Sequence, residues 1–570
     1  MILTPQEHIR TYTERGWWGT ETIDDLFRKN VERTPSALAI ADPPNRAELT
    51  PGEPLRLTWT QLDQATDRLA AALLGAGVCK DDVVMVQLPN IVELVVVYLA
   101  AARLGAILSP LPVQFRTHEL RQTMSQVEPK AFITAANFGG HNYVEMVQGL
   151  RSEFPDLKAI FALGEPLPED IISLSRVLDA PHDAARLEAY LRETTINAND
   201  VYTVCWTSGT EAEPKGVPRS HNLWIAIAYY TVDGAEFQPG HRVLNPFPMV
   251  NMSAIGGMLV PWLMVGGVMF MHHPLNLPVF LQQITTEQIN YTVAPPVLLD
   301  LLLMKPQLLE STDLSHIRNI GSGSAPLSPS MTVAWKEKYG IDILNFFGSN
   351  EGTALVSAPS DIPDAAERAR FFPRFGHPGF SWGVRGSEGM STKLVDPISG
   401  EVVTQAGQVG ELAVQGPTVF SGYWKRPDID AKVFDAEGYF HTGDLFAIDG
   451  EEQNRYRFVG RSKDLIIRGG NKIAPEELEM LIMGHPKVQE VAVVGYLDGH
   501  VLREEHIAAV VVPKPDQKVT LPEIQAYLRE KDIASYKMPK TLRLVEALPR
   551  NPVGKVLKRQ LREQLNKHAL

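Results

Sequence analysis

Two regions of the chain alternate short apolar runs with longer helix-like ones, and this rhythm restricts the possible fold more than any other feature. Between about residues 58 and 160, the strand candidates Val83-Val84-Met85-Val86-Gln87-Leu88 and Ala131-Phe132-Ile133-Thr134 flank a strongly apolar helical stretch from about Ile91 to Gly105. A strand, helix, strand order at this spacing predicts a parallel sheet with helices over both faces. The pattern returns in Ile289-Asn290-Tyr291-Thr292-Val293, a helix over Val297 to Met304, and then Ile317 to Ile320. At 570 residues the chain exceeds the size at which one hydrophobic core keeps growing, so two or more domains are expected.

After about residue 376 the texture changes to glycines and short alternating stretches such as Gly410-Glu411-Leu412-Ala413-Val414-Gln415-Gly416, which reads as a small antiparallel or barrel-like β unit. From Gly460 onward, Val488 to Val494, His506 to Val512, a helix over Leu521 to Glu530 and a basic tail form a cycle of their own, enough for a small α+β domain. The polar stretch Gly460-Arg461-Ser462-Lys463-Asp464 divides the chain into residues 1–459, a hinge at 460–464, and residues 465–570. Residues 361 to 370 read as a charged helical or loop insertion of unassigned role.

The formal charge of −13 argues against a nucleic-acid partner, because affinity for a polyanion rests on clustered Lys and Arg. Cys79 and Cys205 are the only cysteines, too few for a disulfide framework or a paired-cysteine zinc site, which suits a reducing cytoplasm. Residues 1–15 mix charges among apolar positions and lack the continuous apolar core of a signal peptide. Ala254 to Met271 runs eighteen residues without a charge, the lower limit of a membrane span, but contains two glycine pairs and Pro261. A buried helix followed by a core strand at Val268 to Met271 is the expected outcome, so no transmembrane segment is predicted.

The chemistry centres on Thr207-Ser208-Gly209-Thr210-Glu211-Ala212-Glu213-Pro214-Lys215-Gly216. Hydroxyls and backbone N–H groups can donate to phosphate oxygens, Gly209 permits close approach, and Lys215 supplies positive charge, a combination suited to a triphosphate. The Walker pattern is absent, since Lys215 follows a proline and no Ser or Thr succeeds it. Surface turns share the same composition. Five further stretches follow in order: Gly323-Ser324-Ala325-Pro326, Phe347-Gly348-Ser349-Asn350-Glu351-Gly352, Tyr439-Phe440-His441-Thr442-Gly443-Asp444, the stretch from Gly460 to Glu479, and Asn551-Pro552-Val553-Gly554-Lys555.

Together these motifs resemble the adenylate-forming superfamily of acyl- and aryl-CoA synthetases, nonribosomal peptide synthetase adenylation domains and beetle luciferases. The resemblance runs from Leu57-Thr58-Trp59-Thr60 to Lys555. It implies a large α/β amino-terminal domain that binds ATP and an acid, and a small mobile carboxyl-terminal domain. It also implies that Thr207, Ser208, Gly209, Thr210 and Lys215 hold the β- and γ-phosphates, and that Glu351 helps hold Mg²⁺, a hard cation that prefers oxygen ligands. Phe347 and Gly348 would lie against adenine, Gly323 to Pro326 would line the base pocket, and Asp444, assisted by Arg461, would accept hydrogen bonds from the ribose. By the same resemblance Lys472 would be a further nucleotide contact, Lys463 would belong to the hinge, and Gly469 and Gly470 would line the thiol tunnel. Lys555 would bridge the incoming carboxylate and the α-phosphate, as a flexible point charge can.

The chain departs from the family pattern in several places. Glu211 and Ala212 stand where Thr and Gly are usual, and Glu213 adds a second acid; at about 5 Å and an effective dielectric near 20, each would oppose a phosphate by roughly 3 kcal/mol. Phe347 replaces a tyrosine, and Asn350 stands where Thr often contacts the α-phosphate, its amide still able to donate. Phe346 would wall off part of an acyl pocket that also includes Gly323, Asn251 and Met252, with Asn251 in the place of an aromatic or histidine gate. The resemblance thus implies an ATP- and Mg²⁺-dependent acyl-CoA synthetase for a hydrophobic acid, medium-chain or alicyclic, with CoA as the thiol. A stand-alone enzyme that loads a carrier protein and a catalytically silent nucleotide-binding homologue are the alternatives.

Overall fold

In the computed structural model, which describes residues 1–207, 214–352, 354–468, 471–497, 505–531, 533, 537–550 and 556–568, the two expected strand and helix regions form two sheets. The side chains of Lys463, Ile467, Asn471, Lys472, Lys567 and His568 are outside this description. The first sheet has the order Lys215–Ser220, Val201–Thr207, Ile107–Pro110, Val83–Gln87, Ala131–Ala135, Ala159–Leu163, Ile172–Ser173. It is parallel except for the hairpin at its first edge. The second has the order Ala354–Ser357, Asp342–Gly348, Asn319–Gly323, Tyr291–Val293, Arg242–Asn245, Val268–Met271, Leu38–Ala41, Arg56–Thr58, parallel in its middle and antiparallel at both edges.

The expected helix from Ile91 to Gly105 is present as Val92–Leu104, and all thirteen of its residues are buried. A helix apolar on every side belongs between layers. Tyr98 of this helix donates from its hydroxyl to the Met249 carbonyl, beyond the second sheet, and its own carbonyl accepts from the hydroxyl of Tyr202 in the first. It is therefore pinned to the first sheet and to the segment that follows the strand Arg242–Asn245. Ala254 to Met271 forms short helical segments, including Val260–Val265, and then the core strand Val268–Met271, as expected. No helix among the described residues is long and apolar enough to cross a membrane.

The chain divides into two compact units, Met1–Ser391 with Val414–Phe440, and Thr392–Ala413 with His441–Leu570. This differs from the boundary placed at 460–464. The strands of the small β unit follow the linear order Val402–Val403, Ser391–Val395, Val409–Gln415, Phe440–Asp449, Arg455–Arg461, so hydrogen bonding holds most of that sheet within the second unit. Farther along, Val488–Leu497 pairs antiparallel with Glu505–Pro513, which pairs parallel with Thr541–Leu544. Alternation sends Val491 and Val493 toward Leu478, Ile524 and Leu528, and Ala492 and Val494 toward Leu561 and Leu565. The expected insertion at 361 to 370 contains the helix Ala365–Arg370, whose Arg368 is fully buried and pairs with Asp342.

Candidate active site

The strand Val201–Thr207 ends where the phosphate loop begins, and the chain returns as Lys215–Ser220 with Thr207 opposite Lys215. Antiparallel pairing brings the two ends of the loop side by side, and Thr207 Oγ1 donates to the Lys215 carbonyl at 3.5 Å. Ser208, Gly209, Thr210, Glu211, Ala212 and Glu213 lie outside the described residues. The Lys215 ammonium sits 4.8 Å from the ring centre of Tyr423, whose hydroxyl donates to Glu351 Oε1 at 2.8 Å. Tyr423 thus joins the expected cation and the expected carboxylate. Glu351 is 8% exposed, and Ser349, two residues before it, has a buried hydroxyl with no partner among the described residues.

The turn bearing Glu351 is held from behind by a side chain that the motifs do not include. Arg219 is fully buried and donates to the carbonyls of Asn350, Leu223 and Thr418, at 3.0, 2.7 and 3.1 Å. Its guanidinium lies over Trp224 at 4.6 Å. Burial pushes it down to about 9, while Cys205 and Glu351 act in the opposite sense. Asn350 is equally committed: its amide donates to the Trp206 carbonyl at 3.1 Å and its Oδ1 accepts from the Met252 N–H at 2.9 Å. Among the described residues its other amide hydrogen has no partner. Asn350 therefore links the strand that feeds the phosphate loop to the segment expected to gate the acid.

Among the acid-pocket residues, Gly323 and Phe346 are register partners on neighbouring strands. Asn251 caps the short helix Met252–Ala254, its Oδ1 accepting from the Ser253 N–H at 3.1 Å. A π-helical turn, Ile255–Leu259, follows. Phe347 is half-buried and meets Phe372 edge-on at 6.1 Å, whereas Gly348, Ser324, Ala325 and Pro326 are exposed. Ser324 has a positive φ of 66°, a conformation that turns the chain sharply after the strand.

In the second unit, Asp444 and Arg461 face each other across paired strands, with Arg461 Nε 3.1 Å from the carboxylate. The expected ribose pair is thus brought together. The Gly443 N–H donates to Glu411 Oε1 at 2.7 Å and the Asp444 N–H to Thr442 Oγ1 at 3.1 Å, which fixes the turn before the carboxylate. Pro475 opens the helix Pro475–Met483, as the sequence predicts. Gly469, Gly470 and Lys555 lie outside the described residues, as do the side chains of Lys463 and Lys472. Arg219 and Tyr423 lie outside the motifs, Arg219 shortly after the phosphate loop and Tyr423 far from any motif in sequence. The one signal for Arg219 in the sequence is a second basic residue in the strand Lys215–Ser220, which is otherwise uncharged after Lys215.

A lysine, a buried carboxylate and a serine hydroxyl with no partner among the described residues, at the mouth of a hairpin loop, form a set of groups that suits phosphate oxygens and a hard divalent cation. The family model described as AMP-binding enzyme matches residues 27–424, and that of the AMP-binding enzyme C-terminal domain matches residues 477–555. The chain is 28% identical to a medium-chain fatty-acid–CoA ligase of Escherichia coli (strain K12), over 99% of this chain and 94% of the ligase. It is 29% identical to enterobactin synthase component E of the same organism, over 99% of this chain and 98% of that protein. Among solved structures, ATP-bound MatB from Rhodopseudomonas palustris superposes with a TM-score of 0.79 at 26% identity, covering 96% of this chain and all of that one. On this evidence the chain belongs to the AMP-binding, adenylate-forming enzymes.

Proposed function

We propose that the protein is an AMP-forming acyl-CoA synthetase for a hydrophobic carboxylic acid. The acid's carboxylate attacks the α-phosphate of ATP to give an acyl-AMP and pyrophosphate, and the CoA thiol then displaces AMP to form the thioester. Both steps concentrate negative charge, so catalysis is electrostatic and positional. The observation that carries this reading is the Lys215, Tyr423 and Glu351 chain at the mouth of the phosphate hairpin. Thr207 and Lys215 hold the departing pyrophosphate, Asn350 offers its remaining amide hydrogen to the substrate, and Lys555 supplies charge for adenylation. Glu351 would hold Mg²⁺, which neutralises phosphate charge when bound.

Asp444 and Arg461 take the ribose, Phe347 the adenine, Gly469 and Gly470 the thiol passage, and 460–464 with Lys463 the hinge. A medium-chain acid is supported by the similarity to the fatty-acid–CoA ligase, and a cytoplasmic setting by the two unpaired cysteines. The similarity to a siderophore-synthase component favours a second reading, in which the thiol belongs to a carrier protein. Incubation of a panel of acids with ATP and either CoA or a holo-carrier should release AMP and pyrophosphate and identify the acceptor. Release of ADP without AMP would refute both readings.

A further inference from the structure

Tyr291 opens the strand Tyr291–Val293, between Asn319–Gly323 and Arg242–Asn245 in the second sheet. Val293 is opposite Gly321 and Gly323 is opposite Phe346. Because alternate residues of a strand share a face, Tyr291, Val293, Gly321, Gly323 and Phe346 all lie on one face of the sheet. Tyr291 is 2% exposed and Phe237 packs edge-on against its ring at 4.9 Å. Its hydroxyl occupies the place that a Cβ on Gly321 would take, with Val293 Cγ1 3.0 Å and Phe346 Cε2 3.1 Å from the same point. The missing side chain at Gly321 is what admits the phenol.

That hydroxyl has no hydrogen-bond partner among the described residues. A buried tyrosine hydroxyl ordinarily finds one, and leaving it unpaired costs about 1–3 kcal/mol. A trapped water would need several polar neighbours, whereas Val293 and Phe346 are apolar and the Gly321 carbonyl already accepts from the Ala294 N–H. Burial pushes the phenol well above its ordinary range, so it stays protonated and able to donate. From Gly321 the bare strand continues two residues, about 7 Å, to Gly323, where the nucleotide-side turn begins.

We infer that Tyr291 is the specificity-determining floor of the acid pocket and that the acid carries a hydroxyl or carbonyl group remote from its carboxylate, which pairs with Tyr291 Oη. This inference rests on the acid-activating function proposed above. With the carboxylate at the Gly323 end of the strand, the polar group would lie about 7 Å from it, the span of a six-membered ring with a para substituent. A plain hydrocarbon tail would reach the same floor and leave the hydroxyl as it is, unpaired.

The test compares the full chain with Tyr291→Phe, titrated calorimetrically with cyclohexanecarboxylate and its para-hydroxy and para-oxo derivatives, in the presence of an ATP analogue that resists α,β cleavage. The wild type should bind one substituted acid about tenfold more tightly than the parent acid, and Tyr291→Phe should bring the two within about twofold by weakening the substituted acid. The hydroxy and oxo arms distinguish an acid that donates from one that only accepts. A preference for the parent acid, equal discrimination by both proteins, or binding of none of the three overturns the inference. The thermal midpoint of unliganded Tyr291→Phe should equal or exceed that of the wild type, whereas a drop of several degrees would mean that the hydroxyl has a partner inside the fold, and would also overturn it. Pyrophosphate release is measured separately. Its absence with every acid, beside retained Tyr291-dependent binding, would refute adenylation and leave the hydrogen-bond assignment standing.

Discussion

Arg219 keeps a full charge in the protein interior with three backbone carbonyls around it and no ion pair among the described residues. Such a group is tolerated only because its hydrogen bonds compensate part of the desolvation. Arg219→Met should leave the carbonyls of Asn350 and Thr418 unpaired and lower stability by about 3 kcal/mol, read as a shift in the urea midpoint. The same variant should slow pyrophosphate release, because the turn bearing Glu351 loses its backing; unchanged release at a lowered midpoint would limit Arg219 to a structural role. His221 illustrates a different buried group. It is stacked on Tyr202 at 4.9 Å, accepts from the Ile23 N–H through Nδ1, and is pushed down to about 4 by burial. The unfolded chain binds a proton near pH 6.5 and the folded one only near 4, so stability is full above 6.5 and is lost as pH falls between those values, by about 3 kcal/mol. His221→Asn should therefore lose less of its thermal midpoint than the wild type between about pH 7 and pH 4.5. At this scale the sequence exposed the residues that sit inside motifs, such as Glu351 and Asp444, and concealed those, such as Arg219 and Tyr423, whose importance comes from distant parts of the chain meeting them.

Elements were legible wherever periodicity and burial agreed. The helix Leu521–Glu530 lies where expected, and the strands at 83 and 131 are displaced by no more than a residue at their ends. In each case the apolar pattern that defines the element is also the pattern it buries. The π-helical turn Ile255–Leu259 was not legible, because its extra residue per turn is imposed by packing: a side chain on Gly256 would press on Ile227, Met252 and Trp224. The turn Ser349 to Gly352 is similar. Gly352 has φ of 96°, and a Cβ there would run into the Thr418 carbonyl oxygen. Gly352→Ala should thus push the whole element away from the Thr418 segment, lower the thermal midpoint, and cut pyrophosphate release by about 100-fold, since small displacements of positioning groups cost that much. A variant that keeps both would show that the turn can move without consequence.

For the whole molecule, sequence and structure divide the chain at different places for a physical reason. A polar stretch at 460–464 marks where the chain can bend, whereas compactness follows hydrogen bonding, and the strand Arg455–Arg461 is paired with Phe440–Asp449. The proposed hinge is a statement about motion, so it is tested by separating reactions rather than by contacts. If Lys555 serves adenylation alone, Lys555→Ala should reduce acyl-AMP formation by about 100-fold or more, as loss of a charge aimed at a transition state does. The same variant, given presynthesised acyl-AMP and CoA, should form thioester at a rate within about threefold of the wild type, because that step needs no charge at the α-phosphate's incoming face. A glycine-to-leucine change at Gly470 should give the converse, with adenylate formed and thioester blocked. Equal loss of both half-reactions in either variant would mean that the two steps share one arrangement of the protein, and the hinge at 460–464 would lose its function.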